Sequence, residues 1–138
     1  MTSVELALSQ LIRELPLPRH APVIVTSVPS SPSALATRGF NQSELLAKSC
    51  ARTTGTLCYV PLLKRTNRST SQTRLTRKAR FANVVGQFSL ARAIPSLNNT
   101  TIIIIDDVIT TGATLAACAT VLKEAGAKAV WGITVAKD

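Results

Sequence analysis

Histidine occurs once and cysteine three times in 138 residues, and these scarcities remove several kinds of chemistry at the outset. With His20 alone, and no C-x-x-C spacing among Cys50, Cys58 and Cys118, a Ser/His/Asp triad, a Cys/His nucleophile pair and a structural zinc site all lack their parts. The thiols are read as buried and reduced. No apolar run approaches the ~20 residues of a spanning helix, and no basic region followed by an apolar stretch opens the chain, so the reading is cytoplasmic, with no membrane segment. Aromatic residues make up 4% of the chain against 46% hydrophobic. That balance suits Ala-, Ile-, Val- and Leu-filled α/β layers rather than an aromatic interaction module. Neither G-x-x-x-x-G-K-[ST] nor G-x-G-x-x-G occurs, which removes the two commonest nucleotide-phosphate loops. Acidic residues are missing from the middle of the chain: between Leu45 and Ile105 stand ten Lys or Arg and no Asp or Glu, with seven of the ten between Lys64 and Arg80.

What is present is concentrated in one stretch, Thr-Ile-Ile-Ile-Ile-Asp-Asp-Val-Ile-Thr-Thr-Gly-Ala-Thr at 101–114. Ile102 to Ile105 form a β-branched run too short for a buried helix, so they predict a strand covered on both faces, as in a parallel sheet. The strand is expected to end on Asp106 and Asp107, at the carboxyl end where open α/β sheets bind ligands. Beyond it, Leu115, Cys118, Ala119 and Leu122 recur at helical spacing and Gly126 supplies a stop. The helix then begins at a small hydroxylated loop, Thr110, Thr111, Gly112, Ala113 and Thr114, whose hydroxyls and free N–H groups seat a phosphate. The carboxylates cannot hold that phosphate, since like charges repel, but they accept hydrogen bonds from sugar hydroxyls and can bind hydrated Mg²⁺.

The rest of the chain reads as strand alternating with helix over a single domain, residues 1–138. Ser3–Leu15 is an amphipathic helix with Thr2 and Glu5 as a capping box and Val4, Leu8, Leu11, Ile12 and Leu15 on one face; Pro16 ends it. This face packs on its own core or on a second copy in a homodimer. Val23–Val28 is a core strand. Asn41 and Glu44 form a second capping box, opening a helix over 42–54 that Gly55 closes. Leu57–Val60 and Ala129–Val135 are further strands and Gly86–Leu90 a short one. Segment 61–85 has no clean period, and the Ser/Pro cluster at 29–33 reads as a loop. Alternation of this kind predicts parallel crossovers and an α/β fold.

The block from Ile102 to Thr114 resembles the signature of type I phosphoribosyltransferases, which use phosphoribosyl pyrophosphate (PRPP). Two further stretches are similar to the ComF/GntX competence-protein branch of that family: Arg38-Gly39-Phe40-Asn41-Gln42 followed by Glu44 to Ala47, and the spacing of Gln72, Leu75, Arg80, Asn83 and Phe88. The resemblance implies a three-layer domain, a central and mainly parallel sheet flanked by helices, with a flexible basic hood over 61–92. It places the 5′-phosphate on Thr110 to Thr114, the ribose hydroxyls and Mg²⁺ on Asp106 and Asp107, and pyrophosphate near Pro29, Ser30, Ser31 and Arg65. Arg38 closes the site, and Gln72, Arg74, Arg77, Lys78 and Arg80 form the hood and basic face. Three departures stand out. No four-cysteine zinc module is present, the loop Pro29-Ser30-Ser31-Pro32 lacks the His and Arg usual after its Pro, and Arg74 stands where Gly is more usual.

The implied reaction is displacement of pyrophosphate from carbon 1 of the ribose by an amine or ring nitrogen. Thr110 stands where members acting on 6-oxopurines carry an acid, so that class of base is disfavoured. A different class of function remains open. The net charge of +9 and a pI near 10.4 suit nucleic-acid phosphates as well as pyrophosphate, so the basic face also fits a non-enzymatic DNA-uptake factor that meets single-stranded DNA or a competence helicase.

Overall fold

In the computed structural model, the backbone is described for residues 2–66, 86–91, 93–109 and 112–137. In chain order the elements are α1 (Ser3–Glu14), β1 (Val23–Ser27), α2 (Pro32–Arg38), α3 (Gln42–Thr54), β2 (Cys58–Tyr59), β3 (Leu63–Arg65), β4 (Phe88–Leu90), β5 (Thr101–Ile109), α4 (Ala113–Glu124) and β6 (Ala129–Lys137).

The isoleucine run builds the centre. β5 lies inside a four-stranded sheet of order β2-β1-β5-β6, and every neighbouring pair in it is parallel. Successive side chains of a strand point to opposite faces. Ile102 and Ile104 therefore enter one layer and Ile103 and Ile105 the other; all four are 0% exposed. Burying each one contributes roughly 1.5–3 kcal/mol. On one face they meet Leu8 and Ile12 of α1 and Leu46, Ala47 and Cys50 of α3. On the other they meet Ala117, Cys118 and Leu122 of α4, with Leu62, Leu63, Phe88 and Leu97 beneath the two-stranded antiparallel β3–β4 unit. The result is a three-layer α/β domain with a mainly parallel sheet.

Local chemistry sets most helix limits. The Thr2/Glu5 capping box is formed in both directions and opens α1. On that helix Leu8 and Ile12 carry the packing, whereas Val4 and Leu11 stay 39% and 43% exposed, so the buried stripe is narrower than the periodicity predicts. Asn41 caps α3 by accepting from the Glu44 N–H at 3.3 Å. The Glu44 carboxylate reaches forward to Lys48 Nζ at 2.7 Å rather than back to the cap, so the second capping box is only half made. At α4 the turn falls on Gly112, whose φ of 79° is left-handed and strained for any residue with a Cβ.

Three expectations need correction. The stretch read as a loop after β1 contains α2, with Ser31 as N-cap, Pro32 in its first turn and Gly39 as a left-handed C-cap; these are local helix signals that a Ser/Pro cluster disguises. Lys64 lies in β3, paired with Ser89, inside a segment without sequence period. The strand bearing the acids does not end on them. β5 continues to Ile109 beside β6, with Asp106 opposite Thr134.

The carboxylates are nevertheless at an opening, because β1 stops first. The β1–β5 register closes at Ser27 opposite Ile105, followed by one bond from the Val28 N–H to the Ile105 carbonyl at 3.1 Å. From there the chain leaving β1 runs through α3 to β2 at one side of the sheet, and the chain leaving β5 runs through α4 to β6 at the other. Two adjacent parallel strands whose connections diverge leave a crevice at their carboxyl ends. Asp106 and Asp107 are the first β5 residues inside it.

Candidate functional site

A pocket of about 230 Å³ fills this crevice, lined by Val28, Pro29, Ser30, Ser31, Ala34, Arg38, Asn41, Ser43, Arg65, Asp106, Asp107 and Thr114. It draws on the starts of α2, α3 and α4, where backbone N–H groups lack intrahelical acceptors and the dipole favours negative charge.

Asp106 sits at the pocket base, 8% exposed. Its Oδ1 accepts from Ser43 Oγ at 3.1 Å and from the Asp107 N–H at 2.9 Å. Burial, reinforced by the neighbouring Asp107 carboxyl, pushes its pKa up to about 6, against the lowering effect of the Ser43 hydrogen bond. Asp107 is more open, and its Oδ2 lies 3.6 Å from Arg38 Nη1. The guanidinium at the end of α2 thus rests on the more exposed acid, within the pocket that Pro29, Ser30, Ser31 and Arg65 also line. A pair this exposed is held by about 1 kcal/mol or less and gives way readily.

Arg65 is the better-anchored cation. Its Nε donates to the Pro29 carbonyl at 2.8 Å and its Nη1 to Gln87 Oε1 at 3.2 Å, and the guanidinium lies 4.8 Å from the centre of the Phe88 ring. Burial pulls its pKa down from the usual arginine range, while the negative charge of Asp106 opposes that pull. Arginine remains protonated regardless. β3 therefore brings a positive charge beneath the Pro29–Ser31 loop, which carries none of its own. Ser31 Oγ is engaged as the α2 cap, accepting from the Ala34 N–H at 3.2 Å.

Among the sequence-derived residues, the structure thus brings Pro29, Ser30, Ser31, Arg38, Arg65, Asp106, Asp107 and Thr114 to one pocket, with Gly112 and Ala113 at the start of α4. Thr110, Thr111, Gln72, Arg74, Arg77, Lys78 and Arg80 lie outside the described residues. Sequence reasoning missed Ser43, because the bond that gives it meaning spans 63 positions. It assigned Asn41 only a capping role. That side chain also donates from Nδ2 to the Val28 carbonyl at 3.2 Å.

A central parallel sheet, an acidic pair and helix starts around a switch-point crevice define a protein of the type I phosphoribosyltransferase fold. Residues 34–138 match the phosphoribosyl transferase domain family, and the chain belongs to that family. Among curated proteins it is 34% identical over 116 residues to the DNA utilization protein YhgH of Salmonella typhi, covering 84% of this chain and 48% of that one. It is 33% identical over 98 residues to Competence protein F of Haemophilus influenzae, covering 70% and 43%. The chain spans about half the length of these relatives. Among solved structures, an allosteric regulatory enzyme of purine biosynthesis superposes with a TM-score of 0.59 at 25% identity, over 96% of this chain and 25% of that one. A purine phosphoribosyltransferase from Pyrococcus horikoshii Ot3 superposes with a TM-score of 0.56 at 18% identity, over 97% and 70%. No helix among the described residues is long and apolar enough to cross a membrane.

Proposed function

We propose that the chain binds PRPP in the switch-point pocket and transfers its 5-phosphoribosyl group to an amine or ring nitrogen, releasing pyrophosphate. The observation that carries this reading is the shared lining. One pocket holds the Asp106/Asp107 pair, Thr114 at the α4 start, which suits a 5′-phosphate, and the Pro29–Ser31 loop with Arg65, which suits pyrophosphate. Acceptors for sugar hydroxyls thus share one pocket with two places for negative charge, and PRPP carries a sugar with a phosphate at one end and a pyrophosphate at the other.

In the reaction, the bond from carbon 1 to the pyrophosphate oxygen breaks with its electron pair leaving on oxygen, a bond from nitrogen to carbon 1 forms, and the nitrogen's proton passes to solvent. Charge development at carbon 1 is oxocarbenium-like, so the chain's work is to hold the ribose, stabilise the leaving group and exclude water. Arg65 stands ready for the leaving group, and Arg38 joins it once ribose hydroxyls displace it from Asp107. The donor set fits Mg²⁺: the pocket offers two adjacent carboxylates, and magnesium is commonly held by one or two carboxylates plus substrate oxygens and water. Asp106 and Asp107 would hold it, directly through the ligand or through water. When bound, the ion neutralises charge on the departing pyrophosphate.

Calorimetry tests the reading. PRPP with Mg²⁺ should bind, and Asp107→Asn should weaken it by about tenfold or more, the worth of one charge-assisted hydrogen bond to a sugar hydroxyl; equal affinity in the variant rejects the site.

The names of the relatives support a second reading, a DNA-uptake factor acting through the basic face. A gel shift with single-stranded DNA over a salt series separates the two. A steep salt slope lost on neutralising Arg74, Arg77 and Lys78 supports it, and absent or salt-independent binding removes it.

A further inference from the structure

The two acids are neighbours on a strand, and neighbouring strand residues ordinarily face opposite sides of the sheet. Here both line one pocket although the β5–β6 register runs unshifted from Thr101 to Ile109, so the backbone keeps its alternation and it is the two side chains that are turned toward a common opening. Ser43, second residue of α3 and 3% exposed, touches both. Its Oγ donates to Asp106 Oδ1 at 3.1 Å and accepts from the Asp107 N–H at 3.1 Å. That same N–H is shared with Asp106 Oδ1 at 2.9 Å, which folds the Asp106 carboxyl back over the following amide. Two residues earlier, Asn41 ties the α3 start to Val28 on the β1 side. The first turn of α3 therefore bridges the crevice, gripping the end of β1 with one side chain and the acidic pair with the other.

We infer that Ser43 is a positioning residue that turns Asp106 and Asp107 toward a common ribose; this rests on the PRPP reading above. Its one hydroxyl proton is spent on Asp106. Its loss should therefore affect recognition of the sugar and spare recognition of the leaving group, which is addressed through Arg65 and the Pro29–Ser31 loop.

The experiment is calorimetric titration of the wild-type chain, Ser43→Ala and Ser43→Thr with PRPP in the presence of Mg²⁺ and, separately, with inorganic pyrophosphate in its absence. Ser43→Ala should lose affinity for PRPP by about tenfold or more, the usual scale for removing the partner of a functional carboxylate. Its pyrophosphate affinity should stay close to wild type, and Ser43→Thr, which keeps the hydroxyl, should restore most of the PRPP affinity. Parallel loss of both ligands in Ser43→Ala, unchanged PRPP binding, or failure of threonine to rescue each overturns the inference. A wild-type chain that binds no PRPP overturns the underlying reading and this inference with it, whereas wild-type binding matched by Ser43→Ala overturns the inference alone.

Discussion

Asp106→Asn should make the protein more stable at neutral pH while damaging its site. Asp106 is 8% exposed and one residue from a second carboxylate, and its pKa is pushed up from 3.8 to about 6, first by burial and then by Asp107. Below pH 3.8 the group is protonated in both folded and unfolded chains and contributes no penalty. As pH rises toward 6, the unfolded chain releases the proton while the folded chain keeps it, so stability falls through this window. Above about 6 the penalty is complete. At about 1.4 kcal/mol per pH unit, the separation of the two values sets its ceiling near 3 kcal/mol, and partial solvent access through the pocket lowers the expectation to about 1–3 kcal/mol. Asparagine removes the charge yet retains an Oδ1 that accepts from Ser43 and from the Asp107 amide. Urea unfolding of wild type and Asp106→Asn at pH 4 and pH 8 reads the difference. The variant should gain about 1–3 kcal/mol at pH 8 and much less at pH 4. A variant no more stable than wild type at pH 8, or a gap that is equal at the two pH values, refutes the reasoning.

Gly126→Ala should destabilise by about 1–3 kcal/mol, the cost of a residue held in a sparsely populated conformation, since φ there is 109° and the added Cβ would stand 2.8 Å from Asn98 Oδ1; denaturant midpoints check it. Ile104→Ala, at a position 0% exposed between β5 and the α4 layer, should cost about 2–5 kcal/mol in the same assay. Thiol titration under native conditions should find one fast cysteine, Cys58, which is exposed. Cys50 and Cys118 are buried, and burial pushes the Cys118 thiol up to about 12, so both should react only on unfolding.

The legible parts of this fold are those whose causes are local. An uninterrupted Ile102–Ile105 run can be satisfied only between two layers, and the helix after it is written in Leu115, Cys118, Ala119 and Leu122 with a glycine at each end. The acidic pair and the helix start after it are therefore legible in the sequence as neighbours at the carboxyl half of a central strand. α2 carries equally local signals in Ser31, Pro32 and Gly39, but they coincide with a composition that reads as a linker. β3 and β4 are three residues each, too short for a period of two to register, and their pairing joins positions more than twenty residues apart. Arg65 could be picked out as a cation, but not the Pro29, Gln87 and Phe88 contacts that fix it. On α1, tertiary packing overrode amphipathicity: the sheet receives Leu8 and Ile12, leaving Val4 and Leu11 near solvent.

The pocket takes its walls from residues 28–43, Arg65, Asp106, Asp107 and Thr114, so its two carboxylates come from a strand more than sixty residues beyond the stretch that supplies eight of its twelve lining residues. During synthesis the cradle cannot exist until residues 101–114 have emerged and the isoleucine strand has settled beside β1. Assembly of the pocket is consequently a late event, completed in the same step as the long-range sheet. Until then only scattered pieces of its wall exist.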